Sequence, residues 1–122
     1  MTKTTRVMIV DDSPILRSTM RTVLERSGYQ ITGEAGNADE AYALYGKERP
    51  DLVLLDILLP GESGLDILRK LKATDSTAQV LIITAVNQEA VNEEAKQLGA
   101  RGILYKPFDP SELTAAIAEV VK

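Results

Sequence analysis

Asp51-Leu52-Val53-Leu54-Leu55-Asp56, followed by Ile57-Leu58-Leu59-Pro60-Gly61, is the stretch on which the fold turns. Four consecutive apolar residues bounded by acids are the pattern of a strand buried on both faces, as in the middle of a parallel sheet. Asp56 closes the run. A carboxylate where a buried strand surfaces is either a capping or turn residue or a reactive group, and the rest of the chain decides between them.

Upstream, Arg6–Val10 is a second buried run, and it too ends in acid, Asp11-Asp12. Ser13-Pro14 then supplies a cap and a proline for a first helical turn. Leu16, Met20, Val23, Leu24 and Ser27 share one helical face, and Gly28 stops the helix. Residues 29–35 read as a strand, and Asn37 with Glu40 resembles a capping box that opens a helix to about Lys47. Downstream, Leu65, Ile67, Leu68 and Leu71 mark a third amphipathic helix, and residues 79–84 a fourth strand. Ala90, Val91, Ala95 and Leu98 lie on a rather polar helix ended by Gly99. Gly102–Tyr105 is a short fifth strand that runs into Lys106-Pro107-Phe108. Asp109-Pro110-Ser111-Glu112 caps a last helix carrying Leu113, Ala116, Ile117 and Val120. Five strands alternating with five helices imply right-handed crossovers and one parallel sheet with helices on both faces.

Composition narrows the function. The 122 residues suit one domain, and the net charge of −4 argues against direct nucleic-acid binding. There is no cysteine, which is compatible with a reducing cytoplasm, the expected location. No apolar run approaches the ~20 residues of a membrane span. The basic start, residues 1–6, is followed by an apolar stretch that Asp11 and Asp12 interrupt at once, so no signal peptide is expected. Histidine is also absent, which removes the commonest general base and transition-metal ligand. The chemistry falls to carboxylates, hydroxyls, lysine and backbone.

Parallel sheets of this kind bind ligands outside the carboxyl ends of their strands. Those ends carry Asp11 and Asp12, Asp56, Thr84 and Lys106. Each has a plainer reading alone: helix N-terminal charges, a strand-end hydroxyl, a solvated loop lysine. Together at four strand exits they point to one rim. Two carboxylates about 4 Å apart repel by about 4 kcal/mol at an effective dielectric of 20, so a proton or a cation belongs among them. With only oxygen ligands available, Mg²⁺ suits best. Lys106 and Thr84 would then hold the oxygens of a phosphoryl group, and Asp56 would be the nucleophile that forms an acyl phosphate.

Asp11-Asp12, Asp56 with Leu59-Pro60 and Gly64 after it, Thr84-Ala85 and Lys106-Pro107-Phe108 resemble the receiver domain of two-component response regulators. The resemblance runs over the whole chain, with every motif in order, and implies a single receiver domain over residues 1–122. It further implies a doubly wound, flavodoxin-like (βα)5 fold with strand order 2-1-3-4-5. Asp56 would accept phosphate from a sensor histidine kinase or phosphotransfer protein. Asp12 would bind Mg²⁺ directly, Asp11 directly or through water, and the Leu58 backbone carbonyl would complete the protein ligands. Thr84 would swing toward the phosphate and Lys106 would pair with it.

Many receivers carry an aromatic residue three positions before the lysine, where this chain has Ile103, with Tyr105 on the same strand face. The output is then expected to rest on the loop after the fourth strand and on the fourth helix. The face formed by the fourth helix, fifth strand and fifth helix (Asn92, Lys96, Arg101, Tyr105) is expected to report phosphorylation. Its reader is a downstream effector protein, an effector domain outside this sequence, or a second copy in a phosphorylation-dependent dimer. Leu58 and Val86, each two residues after a site residue, are apolar and cannot orient a hydrolytic water, which predicts a long-lived phosphoaspartate. Ile15, off the core stripe of the first helix, is expected to be exposed near Pro107 and Phe108 as a kinase contact.

The competing readings fit less well. A dehalogenase-type phosphatase wants a second Asp where Leu58 stands, and a flavodoxin-like electron carrier wants a hydroxyl- and glycine-rich phosphate cradle in place of Asp11-Asp12. A dinucleotide dehydrogenase lacks its Gly-x-Gly-x-x-Gly turn. A phosphorylation-independent pseudo-receiver is the remaining alternative, though all five site residues are present.

Overall fold

The computed structural model describes residues 4–121; Met1, Thr2, Lys3 and Lys122 lie outside the described residues, and with them the first half of the basic start of the chain. Strands β1 (Arg6–Val10), β2 (Gln30–Ala35), β3 (Leu52–Leu55), β4 (Val80–Thr84) and β5 (Gly102–Tyr105) alternate with five helices. These are α1 (Pro14–Arg26), α2 (Ala38–Glu48), α3 (Gly64–Thr74), α4 (Glu89–Gln97) and α5 (Pro110–Val121). All four strand pairings are parallel and the order is β2-β1-β3-β4-β5, the expected doubly wound, flavodoxin-like arrangement.

The period-two alternation of the strands divides the core. Val7, Ile9, Leu52, Leu54, Leu81 and Ile83 face Met20 and Leu24 of α1 and Leu113, Ile117 and Val120 of α5. Met8, Val10, Val53, Leu55, Val80 and Ile82 face α2, α3 and α4. The β1 and β3 residues in these sets are at most 1% exposed, as a strand covered on both faces requires. Two expected positions differ. Ser27 lies past the end of α1 and is exposed, and Ala90 faces solvent at the start of α4, where Ala95 alone is fully buried.

Side-chain caps set where α1, α2, α3 and α5 begin, and so aim the loops above the sheet. Ser13 Oγ accepts from the Leu16 amide (3.2 Å) with Pro14 in the first turn. Asn37 Oδ1 accepts from the Glu40 amide (2.9 Å), but Glu40 returns its own bond to the Gly36 amide, one residue earlier than a capping box requires. The reciprocal box does form at α5, where Asp109 and Glu112 each accept from the other's amide.

At the far end of α3, Asp75 accepts from the Thr77 hydroxyl (2.6 Å), the Tyr45 hydroxyl (2.7 Å) and the Thr77 amide (3.0 Å). These bonds hold its carboxyl down at about 2, against an ordinary 3.8. A depressed carboxylate contributes stability above its unfolded pKa, and the contribution disappears as pH falls through the folded value. The Asp75→Asn variant is therefore expected to be less stable than wild type at neutral pH, with the gap closing from about pH 4 to about pH 2. Urea midpoints across that window check it; a gap independent of pH would contradict the assignment.

Candidate functional site

The carboxyl ends of β1, β3, β4 and β5 bring the expected residues to one place. One carboxylate oxygen from each of Asp11, Asp12 and Asp56 lies within 4.8 Å of the others. Asp11 and Asp56 are buried and Asp12 is exposed. The Lys106 ammonium enters from the β5 side and donates to Asp11 Oδ2 and Asp56 Oδ2, each at 2.7 Å. Burial pulls this ammonium down, but the hydrogen bonds and charges of Asp11 and Asp56 outweigh burial and hold it above the ordinary lysine value. Sequence reasoning looked for a proton or a metal to relieve the carboxylates; in this structure the lysine takes part of that role. An ammonium has three donors, so one remains for a further acceptor.

A shared local device orients the oxygens. Asp11 Oδ1 accepts from the Ser13 amide (2.9 Å), Asp56 Oδ1 from the Leu58 amide (3.0 Å) and Thr84 Oγ1 from the Val86 amide (3.2 Å). In each case a short polar side chain at a strand exit captures the N–H two residues on, which turns the chain out of the sheet. The sequence reading marks Leu58 for its backbone carbonyl and its side chain, and Val86 for its side chain, but misses that their amides fix the site. The signal was present, since Asp and Thr at the ends of buried strands are the residues that make such turns. Thr84 itself is fully buried.

Gly64, the first residue of α3, holds this helix against the end of β3. Its amide donates to the Ile57 carbonyl (2.8 Å), and a Cβ built there would lie 2.1 Å from the Asp56 carbonyl oxygen. The loop between is tied back by Glu62, which accepts from the Tyr42 hydroxyl and from Lys70 (2.8 Å).

The remaining sequence-derived residues lie around the rim. Ile15 is 81% exposed and Leu58 57% exposed, whereas Phe108 is partly buried against the α1–α5 side of the core. Ile103 packs on the α2–α4 side and Tyr105 is half-buried, paired in register with Thr84. The Lys106–Pro107 peptide bond is cis. Three carboxylates within reach of one point, with all-oxygen donors and no histidine or cysteine in the chain, fit a hard divalent cation.

Comparison with known proteins gives one consistent answer. Residues 7–118 match the response regulator receiver domain family. The chain is 39% identical to protein CcdB of Bacillus subtilis, covering 96% of this chain and 98% of that protein. It is 35% identical to chemotaxis protein CheY of Thermotoga maritima, with the same two coverages. Among solved structures, the CheX-CheY-BeF3-Mg complex from Borrelia burgdorferi superposes with a TM-score of 0.93 at 27% identity, covering 97% of this chain and 90% of that one.

Proposed function

The chain belongs to the response regulator receiver domain family, and from that premise we propose that Asp56 is its phosphoacceptor, served by Mg²⁺, Lys106 and Thr84. The protein is a signalling phosphoacceptor of a two-component system, not an enzyme that turns over a substrate. The observation that carries the residue assignment is the Lys106 ammonium bridging Asp11 and Asp56 at 2.7 Å beside an exposed third carboxylate.

Asp12, Asp11 and Asp56 would hold the cation, with the Leu58 backbone carbonyl as a further oxygen ligand. Bound there, Mg²⁺ would offset the negative charge of carboxylates and incoming phosphoryl oxygens. The Asp56 carboxylate attacks phosphorus, a P–O bond forms as the donor's P–N bond breaks, and the electron pair returns to the leaving imidazole nitrogen, which takes a proton. Lys106 turns its third N–H to a phosphoryl oxygen. The Thr84 hydroxyl, which accepts from the Val86 amide, keeps its proton to donate to another.

The donor is a sensor histidine kinase or phosphotransfer protein in the cytoplasm, and the receiver domain takes in residues 1–122. Ile15, exposed in α1's first turn, is offered as the kinase contact, with the partly buried Phe108 as a second contact residue. Phosphorylation is read on the α4–β5–α5 face by an effector or by a second copy, with Ile103 and Tyr105 as the inward elements of the switch. Intact mass after incubation with acetyl phosphate tests the acceptor reading: one phosphoryl group is added with Mg²⁺ and none after chelation. No adduct on folded protein would favour the phosphorylation-independent pseudo-receiver.

Phosphate lifetime follows from the two side chains beside the acceptor. Replacing Leu58 with Asn and Val86 with Glu supplies groups that can orient water, and the double variant is expected to lose its phosphoryl group about tenfold faster. Adduct decay after acetyl phosphate removal measures it, and an unchanged half-life would reject the apolar-shield account.

A further inference from the structure

Of the three clustered acids, Asp11 is held at every polar atom. Its amide donates to the Ala35 carbonyl (3.0 Å), its Oδ1 accepts from Ser13, its Oδ2 accepts from Lys106, and its carbonyl accepts from Arg17 Nη1. Asp56 is held by the Leu58 amide and Lys106. Asp12 is exposed, and its carboxylate takes no part in these bonds. Its direction is set by the peptide plane it grows from, the Asp11–Asp12 peptide, and the carbonyl of that peptide is the one Arg17 grips.

Arg17 is itself anchored. Its Nε donates to Glu34 Oε1 (3.2 Å) on β2, and Glu34 Oε2 takes Arg21 Nε (2.6 Å) from the next turn of α1. Arg17 and Glu34 side chains are 18% and 25% exposed, so the fork is packed between α1 and the sheet. The pairing also offsets the guanidinium charge, so a net repulsion between Arg17 and a cation at the acidic cluster is small.

We propose that Arg17 is a positioning residue: its guanidinium fixes the Asp11–Asp12 peptide plane and so aims the Asp12 carboxylate at a divalent cation. This rests on the reading of Asp12 as a metal ligand. Groups that orient ligands from behind a metal site commonly matter to affinity almost as much as the ligands. Two accounts of Arg17 predict opposite signs. If it acted only as a nearby charge, removing it would leave the cluster more negative and tighten binding, while neutralising Glu34 would weaken it. If it positions Asp12, both changes weaken binding.

The test is Mn²⁺ affinity, read from the EPR signal of the free ion, with Mg²⁺ measured by displacement of Mn²⁺. Arg17→Gln is expected to bind about tenfold more weakly. Arg17→Lys, which keeps the charge and loses the fork, should fall most of that way. Glu34→Gln, which loosens Arg17 without touching the carbonyl bond, should weaken binding less, and Arg17→Lys, for which the charge account predicts wild-type affinity, is the independent route if Arg17→Gln loses its fold. Against an Asp12→Asn background, Arg17→Gln should cost nothing further, because the group it aims is gone. Tighter or unchanged binding by Arg17→Gln, or an equal loss in both backgrounds, overturns the inference. Wild-type affinity in Asp12→Asn alone would instead remove Asp12 as a ligand, and this inference with it.

Discussion

Asp56→Asn is expected to acquire no phosphoryl group from acetyl phosphate with Mg²⁺, while keeping its fold and thermal midpoint. The amide has no anionic oxygen to attack phosphorus, so the loss should be complete at the sensitivity of intact-mass detection. The fold should persist for two reasons. The amide oxygen still accepts from the Leu58 amide, which retains the turn out of β3. The electrostatic change also nearly cancels: the substitution gives up an attraction to Lys106 across 2.7 Å and relieves two repulsions across distances up to 4.8 Å. Weighted by inverse distance those terms are close to equal. An unmodified variant with a wild-type midpoint therefore reports chemistry and not unfolding. A phosphoryl adduct on the variant would move the acceptor elsewhere, with Asp11 and Asp12 the first residues to map. Divalent chelation before acetyl phosphate is added should prevent the same adduct on wild type, since the crowded carboxylates would then face the incoming phosphate with Lys106 alone to offset them.

Much of this is legible in the sequence, because the information is local. Leu52–Leu55 can be buried on both faces only inside a sheet, and the acids at 11, 12 and 56 mark where strands surface. Ser13-Pro14 and Asp109-Pro110 start helices by capping chemistry that involves a few adjacent residues. Strand order was different. The alternation of elements requires a parallel sheet but does not say on which side of β1 the chain resumes after α2, because that depends on which faces α1 and α2 cover. It came only with the family resemblance. The Glu40 cap missed by one residue for a similar reason: Gly36 leaves its amide open to the carboxylate at 2.8 Å, and the sequence spacing alone does not choose between Gly36 and Asn37.

The site shows the same division. Which residues meet was readable from their positions at strand ends; how they meet was not. Lys106 lies 95 residues from Asp11 and 50 from Asp56, and its pair of hydrogen bonds, one to each, depends on where β5 ends relative to β1 and β3. Arg17 gave no signal at all, since an arginine on the first helix reads as an ordinary surface charge until its carbonyl partner is seen. The tie between Glu62 and Tyr42 likewise joins a loop to a helix twenty residues earlier, beyond any local pattern.

Gly64→Ala is the second large effect, and it follows from contact geometry. The added Cβ would sit 2.1 Å from the Asp56 carbonyl oxygen, 2.6 Å from Ile57 Cα and 2.9 Å from the Asp56 carbonyl carbon. All three are backbone atoms, so no rotamer change relieves the clash. Either the start of α3 lifts from β3, breaking the Gly64–Ile57 hydrogen bond, or the peptide that carries the acceptor shifts. Overpacking of this kind costs on the order of 3 kcal/mol, enough to lower the thermal midpoint by roughly 10 °C in a domain of this size. A displacement near 1 Å at the acceptor is also expected to slow phosphoryl uptake about a hundredfold, because in-line attack depends on placement. Gly46→Ala is the matched control. No atom lies within 4 Å of a Cβ built there, and exchanging a helical glycine for alanine stabilises by about 1 kcal/mol, leaving phosphorylation unchanged. Urea midpoints and acetyl phosphate uptake on the two variants separate the outcomes. Should Gly64→Ala match wild type in both, the approach of α3 to Asp56 would have to be looser than the structure has it. Loss of stability with uptake intact would mean that α3 yields and the acceptor peptide stays.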